Sequence, residues 1–591
     1  MLDRMHRHRG VSASSGIAIG PAYLADVRVV ISERRILRND RRAELARFDE
    51  AAGAAEGQLE RLHRQLDGAD GTAHELIDLH RLILRSPELA DESRRLIGDE
   101  CFAAEWAVSR SLERIRSVFA RLDDPYFRDR SGDFEAVGER LLRALLGLPE
   151  ATPDSGAARG AIAVTGNVGP VQLIQLRRAG VEAIVSEGGG VTSHAAILAR
   201  AFDLPYVAGV HHASSQIRPG ASLIVDGTRG EIIVEPDSEM LQMYRARADA
   251  GREQDKRLRA TRGLPSVTSD GVEIHLGANV ESLPGVAAAI AAGAESIGLF
   301  RTEFLYLERA DLPTEEEHYQ DAVAAIKAAG GRQVTFRTLD LGGDKLPPTL
   351  GISPGANPAL GVRSARFSLQ RPDILKRQLR AFYRAASVGP LRFMFPLVTT
   401  VGELRRLRVI CDEARAELSA EKIAHDPTIA LGVMIETPSA VLTADHFVRR
   451  CDFLSVGTND LIQYAFAADR DNDEVAHLQS PLHPAVLRLL RSLADVARGA
   501  GASISICGDM AGDPLLTSVL VGLGFRELSM DRSRIPLVKQ VVRGSSLAEM
   551  ESLAREALTK EDEVEVCELI QTRLRGRFSA EIDDILGRYA A

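Results

Sequence analysis

Through the first quarter of the chain the apolar positions recur every three or four residues. Leu45, Phe48, Ala52, Ala55, Leu59, Leu62 and Leu66 keep that spacing, as one face of a helix does. The stretch from Leu76 to Ile97 and the run AEWAVSRSLERIRSVFARL from Ala104 repeat it with charged outer faces, which predicts a helical bundle over 28–145. From Ala161 the pattern changes to short β-branched runs divided by glycines: AIAVTG, EAIVSEG, YVAGV and SLIVDGTRGEIIVEP. They predict a compact α/β domain over 146–236 with one or two short helices. A highly charged stretch with few core positions follows at 237–265 and predicts a helical linker.

Beyond the linker, apolar runs alternate with helical patterns eight times: VEIHLGANV, ESIGLFRTE, VTFRTLD, LRFMFPLV, IALGVMIE, FLSVGTND, SISICGDM and FRELSM. Eight βα units within 266–591 are what a closed (β/α)8 barrel requires, and such a barrel carries its chemistry at the C-terminal strand ends. Arg301, Arg337, Asp340, Glu436, Asn459, Asp460 and Cys507 each fall at the end of one of these runs. The expected fold class is therefore multidomain α/β, with a helical subdomain, an α/β domain and a C-terminal TIM-type barrel.

Length and composition narrow the picture. A chain of 591 residues exceeds the ~250 that one core holds, and 45% hydrophobic with 26% charged residues fits an ordinary globular protein. A net charge of −10 disfavours nonspecific binding of nucleic acid or membrane surfaces, so an anionic ligand must be held by a local cluster of cations. The five cysteines are odd in number and lack CxxC spacing, which argues against a disulfide framework or structural zinc and fits a reducing compartment. The start MLDRMHRHRG lacks the apolar core of a signal peptide, and no apolar run reaches the ~18 residues of a membrane span. A cytoplasmic protein without membrane insertion and without a nucleic-acid partner is expected.

Arg301, Arg337, Lys345, Arg363 and Arg470 would bring several cations to one barrel mouth. Any one arginine alone reads as the partner of a surface carboxylate. Five cations at strand ends and nearby loops point instead to a ligand with phosphate and carboxylate groups, which guanidinium forks bind bidentately. Glu436 and Asp460 end nearby strands and fit either a hard divalent cation or ion pairs with those arginines. Cys507 reads as a small buried hydrophobe or as a general acid. In EGGGVTSHAAILAR, Thr192 and Ser193 are good helix caps and place His194 in the first turn. Unpaired N–H groups there favour an anion and disfavour imidazolium, which suits a histidine that accepts and gives up phosphate; an incidental cap-region residue is the plainer reading. His211, His212, His74 and His80 show no supporting arrangement and read as solvated or packing residues.

Together with GVSASSGIAIGPA, GLFRTEFLYL, FRTLDLGGDK, NPALGVRSAR, GVMIETPSA, SVGTNDLIQYAFAADR and ICGDMAGD, these residues give a chain that strongly resembles Enzyme I of the bacterial phosphotransferase system over nearly its whole length. TSHAAILAR alone also fits pyruvate phosphate dikinase and phosphoenolpyruvate synthase, but the chain has no GxxxxGK[ST] loop and no room for their nucleotide module. The resemblance implies that His194 takes phosphate from phosphoenolpyruvate and passes it to a histidine of the carrier HPr, the first step of a sugar phosphotransferase system. It implies Mg2+ on Glu436 and Asp460. It also implies substrate binding by Arg301, Arg337, Lys345, Arg363, Asn459, Asp460 and Arg470, and an enolate protonated by Cys507. Residues 1–27 and 146–236 would form a swivelling phosphohistidine domain, 28–145 the HPr-binding subdomain, and 266–591 a barrel that also makes a homodimer.

Three positions depart from the family pattern. Val191 replaces the usual arginine before Thr-Ser-His, Leu173 stands where threonine is expected, and Asp509 replaces glutamate. The first two remove polar groups near the phosphorylated ring and bear on transfer rate and phosphohistidine lifetime. Two other readings remain open: a dikinase-like phosphotransferase with a separate nucleotide subunit, and a regulatory protein that senses phosphoenolpyruvate without relaying phosphate.

Overall fold

The computed structural model describes residues 6–25, 31–65, 71–119, 125–147, 158–190, 193–306, 311–341, 357–470, 472 and 474–586. The chain forms two compact units, Met1–Asp255 and Lys256–Ala591.

In the first unit, eight strands share one sheet: β1 (His6–Arg9), β2 (Val11–Ser14), β3 (Ile17–Leu24), β4 (Ile162–Thr165), β5 (Ala183–Ser186), β6 (Tyr206–Ala208), β7 (Ser222–Asp226) and β8 (Glu231–Val234). Their order is β1-β8-β7-β3-β4-β5-β6-β2. β3 to β6 run parallel, and the remaining pairs are antiparallel. The predicted runs from AIAVTG onward all become strands. HRHR, VSAS and IAIGPAYL were not predicted as strands; HRHR has no apolar alternation and is recruited by pairing along β8.

Strand alternation builds a core on each face. Ala163, Ile184, Tyr206 and Ala208 pack under the helices Pro170–Arg178 and His194–Ala201, while Ile162, Val164, Ala183, Val185 and Val207 point the other way, toward Ala213 and Ile217. Leu173 is fully buried in the first of these cores.

The predicted helical bundle lies between β3 and β4, with helices Arg41–Gln65, Gly71–Leu84, Glu92–Gly98, Ala104–Phe119 and Pro125–Leu145 around Phe48, Ala55, Leu89, Ile97, Val108, Val137 and Leu141. The stretch Leu76–Ile97 is not one continuous helix. Pro87 has no N–H to donate and holds Ser86 extended (φ −66°, ψ 146°), so the chain breaks after Leu84 and restarts through the turn Pro87–Asp91. His80 is a packing residue: it is buried, with Nε2 3.3 Å from Asp133 Oδ1. His211 and His212 are exposed. Leu66 and the side chain of His74 lie outside the described residues. The charged stretch after β8 is helical over Ser238–Thr261.

All eight barrel runs are strands: β9 (His275–Val280), β10 (Ser296–Arg301), β11 (Val334–Arg337), β12 (Leu391–Phe395), β13 (Ala430–Ile435), β14 (Phe453–Val456), β15 (Ser503–Ile506) and β16 (Glu527–Met530). They pair in parallel in sequence order, and β16 closes onto β9. Leu299, Met394, Met434, Phe453 and Cys507 form one cluster. At the N-terminal ends of the strands Arg392 donates to Glu527 at 3.0 Å and lies 4.3 Å from the centre of the Phe453 ring. Gly432 is required beside it, since a Cβ there would come within 2.3 Å of the ring. Among the described residues no helix is long and apolar enough to cross a membrane.

Candidate active site

Parallel strands in register bring the polar residues that follow them to one rim. Arg301 and Arg337 are the last residues of β10 and β11 and are register partners. Asp340 follows β11, Glu436 directly follows β13, Asn459 and Asp460 open the helix Thr458–Phe466 after β14, and Cys507 directly follows β15.

Carboxylates and guanidiniums interlock there. Arg337 forms ion pairs with Glu303 at 3.1 Å and with Asp340 at 2.8 Å. Arg363 donates to Asp340 at 3.2 Å and forms an ion pair with Asp460 at 3.3 Å, and Arg470 donates to the other oxygen of Asp460 at 2.9 Å. Arg301 pairs with Glu281. Asn459 and Asp509 exchange two hydrogen bonds of 2.9 Å, amide to carboxylate and backbone N–H to amide oxygen. The departure at 509 thus gives this chain a side chain that holds Asn459. Lys345 lies outside the described residues.

The charges do not balance at Glu436. This carboxyl is almost wholly buried, and Oε1 accepts the Leu397 N–H at 2.5 Å. Burial first, then the carboxylates of Asp460 and Asp340, push it well above the ordinary range, against the pull of Arg337 and Arg363. Glu303 is also raised, by burial foremost, although Arg337 pulls the other way. Burial likewise opposes ionisation of Asp340, but Arg337 and Arg363 outweigh it and hold that carboxyl below the usual range. Only glycine fits at 457, where a Cβ would fall 2.4 Å from Glu436 Oε2. Among the described residues no three His, Cys, Asp or Glu side chains cluster as a metal site. Two carboxylates with one uncompensated charge do fit magnesium, which takes its other ligands from substrate and water.

The rim also gathers buried polar atoms without partners: Arg301 Nε, Glu303 Oε2, Arg337 Nε, Thr338 Oγ1 and Thr458 Oγ1. Buried donors and acceptors are ordinarily satisfied, so five open ones at the ends of β10, β11 and β14 mark a place for a polar ligand.

Cys507 is buried beside Met394 and Met434, and it accepts from the Ser455 hydroxyl at 3.1 Å. Burial outweighs that bond and raises the thiol to about 11, so it carries its proton at neutral pH. Both sequence readings of Cys507 therefore survive.

Sequence reasoning missed Glu303, Ser364 and Leu397. Glu303 sits inside the quoted run GLFRTE, but nothing in the run marks it as buried. Ser364 (φ 52°) and Leu397 (φ 49°) hold left-handed backbone that side chains disfavour. Ser364 donates its hydroxyl to Asp340, and Leu397 its N–H to Glu436.

In the first unit Ser193 caps the helix His194–Ala201 by accepting the Ala196 N–H at 3.2 Å, which places His194 in the first turn as expected. The His194 side chain and residues Val191 and Thr192 lie outside the described residues.

A rim of arginines and carboxylates on a (β/α)8 barrel, and a capped histidine helix in the first unit, accompany matches to one family of phosphoenolpyruvate-utilising enzymes. Residues 255–547 match the family described as PEP-utilising enzyme, PEP-binding domain. Residues 157–230 match its mobile domain and 9–130 its N-terminal domain. A phosphoenolpyruvate-protein phosphotransferase of Cupriavidus necator is 40% identical over 562 residues, 93% of this chain and 96% of the relative. Proteins of the same name from Staphylococcus carnosus and Bacillus subtilis are 35% and 34% identical, covering 95% and 96% of this chain and 98% and 99% of theirs. The chain belongs to the phosphoenolpyruvate-protein phosphotransferase family.

Proposed function

We propose that the protein takes the phosphoryl group of phosphoenolpyruvate onto His194 and passes it to a histidine of HPr, releasing pyruvate as the first step of sugar uptake by a phosphotransferase system. The observation that supports this reading best is the set of unpartnered buried polar atoms at the strand ends of the barrel, together with the buried carboxyl of Glu436 at the same ends, which asks for a polar ligand and a cation.

Arg301, Arg337, Arg363 and Arg470 bind the phosphate and carboxylate of the substrate, with Lys345 and Asn459 completing the set. Glu436 and Asp460 would hold magnesium, which when bound supplies positive charge beside the transferring phosphate. His194 attacks phosphorus, the bond from phosphorus to the enol oxygen breaks, and the electron pair stays on the enolate. Cys507 donates its proton to the enolate carbon to give pyruvate, and the thiolate is reprotonated before the next turnover. In the second step a histidine of HPr displaces His194 at phosphorus. The helical bundle is the HPr platform and the barrel the dimer contact.

Labelled phosphoenolpyruvate, magnesium and purified HPr test the relay. The expected result is label on HPr that requires His194 and is not obtained from labelled ATP. Labelling from ATP would favour a dikinase-like enzyme, and phosphoenolpyruvate binding without transfer would favour a sensor.

A further inference from the structure

The glycine-rich stretch ahead of His194 is held from beneath by a buried chain of hydroxyls. Ser186 ends β5 and Tyr206 begins β6, and both are fully buried. Tyr206 is in register with Ile184, so Ser186 is the next residue on the same face and lies within reach of the long phenol ring. The two hydroxyl oxygens are 2.7 Å apart, and the Ser186 hydroxyl donates to the Gly188 carbonyl. The direction follows: Tyr206 donates to Ser186, and Ser186 to Gly188. Burial raises the Tyr206 hydroxyl to about 12, so it remains a donor across the physiological range.

Gly189 fits this arrangement alone. Its φ is 95°, and a Cβ would come within 2.9 Å of the Tyr206 oxygen. Gly190 then accepts the Ser193 N–H at 3.2 Å and the Ser193 hydroxyl at 2.9 Å. Ser193 is the cap of the helix that starts at His194. That helix lies on the same core through Ala195, Ala196 and Ala199, which pack with Tyr206. A run of three glycines otherwise has great backbone freedom. Here the Ser186 hydroxyl holds Gly188, and Gly189 packs where a side chain would meet the Tyr206 oxygen. Leu173 joins the same core and brings no polar group to it.

We propose that Tyr206 is a positioning residue for phosphoryl transfer, acting through Ser186 and Gly188 to fix the loop that presents His194. This rests on His194 being the phosphoryl carrier. Transfer depends on the placement of the attacking nitrogen, so a loosened loop slows transfer without touching substrate binding in the barrel.

The test uses the full chain with Tyr206→Phe, Ser186→Ala, the double variant and His194→Ala. Rapid-quench labelling of the protein by labelled phosphoenolpyruvate is read beside substrate affinity by calorimetry, well below the unfolding temperature. Each single variant should label about tenfold more slowly at unchanged substrate affinity. The double variant should be no slower than the slower single, because both act on one chain of bonds. Should Tyr206→Phe not fold, Ser186→Ala carries the same expectation alone. Labelling of the single variants at the wild-type rate, or defects that multiply in the double variant, would overturn the proposal. His194→Ala separates the two ideas: label on that variant defeats the carrier reading, whereas its absence together with a normal Tyr206→Phe defeats only the positioning role.

Discussion

Alanine at position 457 sets one methyl group against the least compensated carboxyl of the barrel rim. Gly457 has φ −83° and ψ 84°, a conformation open to side-chain-bearing residues, so any effect comes from the added carbon. That carbon would lie 2.4 Å from Glu436 Oε2, 3.1 Å from Glu436 Cβ and 3.2 Å from Met434 Sδ, where ordinary contact begins at 3.4 Å. The other carboxyl oxygen is held by the Leu397 N–H, so the group must shift bodily rather than swing aside. A displacement of about 1 Å at a positioned group costs on the order of 100-fold in rate, or about 2.7 kcal/mol of transition-state stabilisation. Overpacking costs the fold only about 1–3 kcal/mol. Rapid-quench phosphorylation by phosphoenolpyruvate across a magnesium titration, with thermal unfolding alongside, reads both effects. The expected variant is folded, about 100-fold slower, and needs more magnesium for half-maximal rate. Shortening the displaced side chain in Gly457→Ala/Glu436→Asp should restore part of the loss. A folded Gly457→Ala protein with normal rate and magnesium response would refute the placement of Glu436 at the reacting centre.

Glu436→Gln should stabilise the metal-free protein while abolishing turnover. The folded state raises this carboxyl above its usual 4.5, so its contribution is complete below that value and is lost as pH rises. The gain in unfolding temperature should therefore be absent near pH 4 and appear above it; no gain at neutral pH would contradict the charge imbalance. Cys507→Ser should slow pyruvate formation about 100-fold more than it slows phosphorylation of His194, as chemical quench separates them. Because burial raises the thiol from 9.0 to about 11, its stabilising share is complete below the lower value and is lost between the two. Over that interval wild type should lose ~3 kcal/mol more than the serine variant, and equal losses in denaturant titrations would argue against a buried neutral thiol.

The barrel was legible because its strands are apolar runs alternating with helical patterns, and two of them, ESIGLFR and VTFR, announce both β10 and β11 and the arginines that finish them. The histidine helix was legible because Ser193 is a strong cap. Other features depend on contacts distant in sequence. Nothing near Glu303 says that Arg337 will cover it, and nothing near Arg392 says that it closes the barrel floor against Glu527 rather than facing water. Backbone strain left no signal either, since neither Ser364 nor Leu397 belongs to a residue type that invites φ above zero. HRHR became an edge strand because β8 was there to pair with it.

In the function proposed, His194 carries the phosphoryl group between phosphoenolpyruvate and a protein acceptor. Mapping acid-labile phosphate by peptide mass spectrometry, after the full chain meets phosphoenolpyruvate and magnesium, tests it most directly. Phosphate on the peptide that contains His194, removed when HPr is added, is the predicted result. Phosphate on any other residue, or its persistence in His194→Ala, would contradict it.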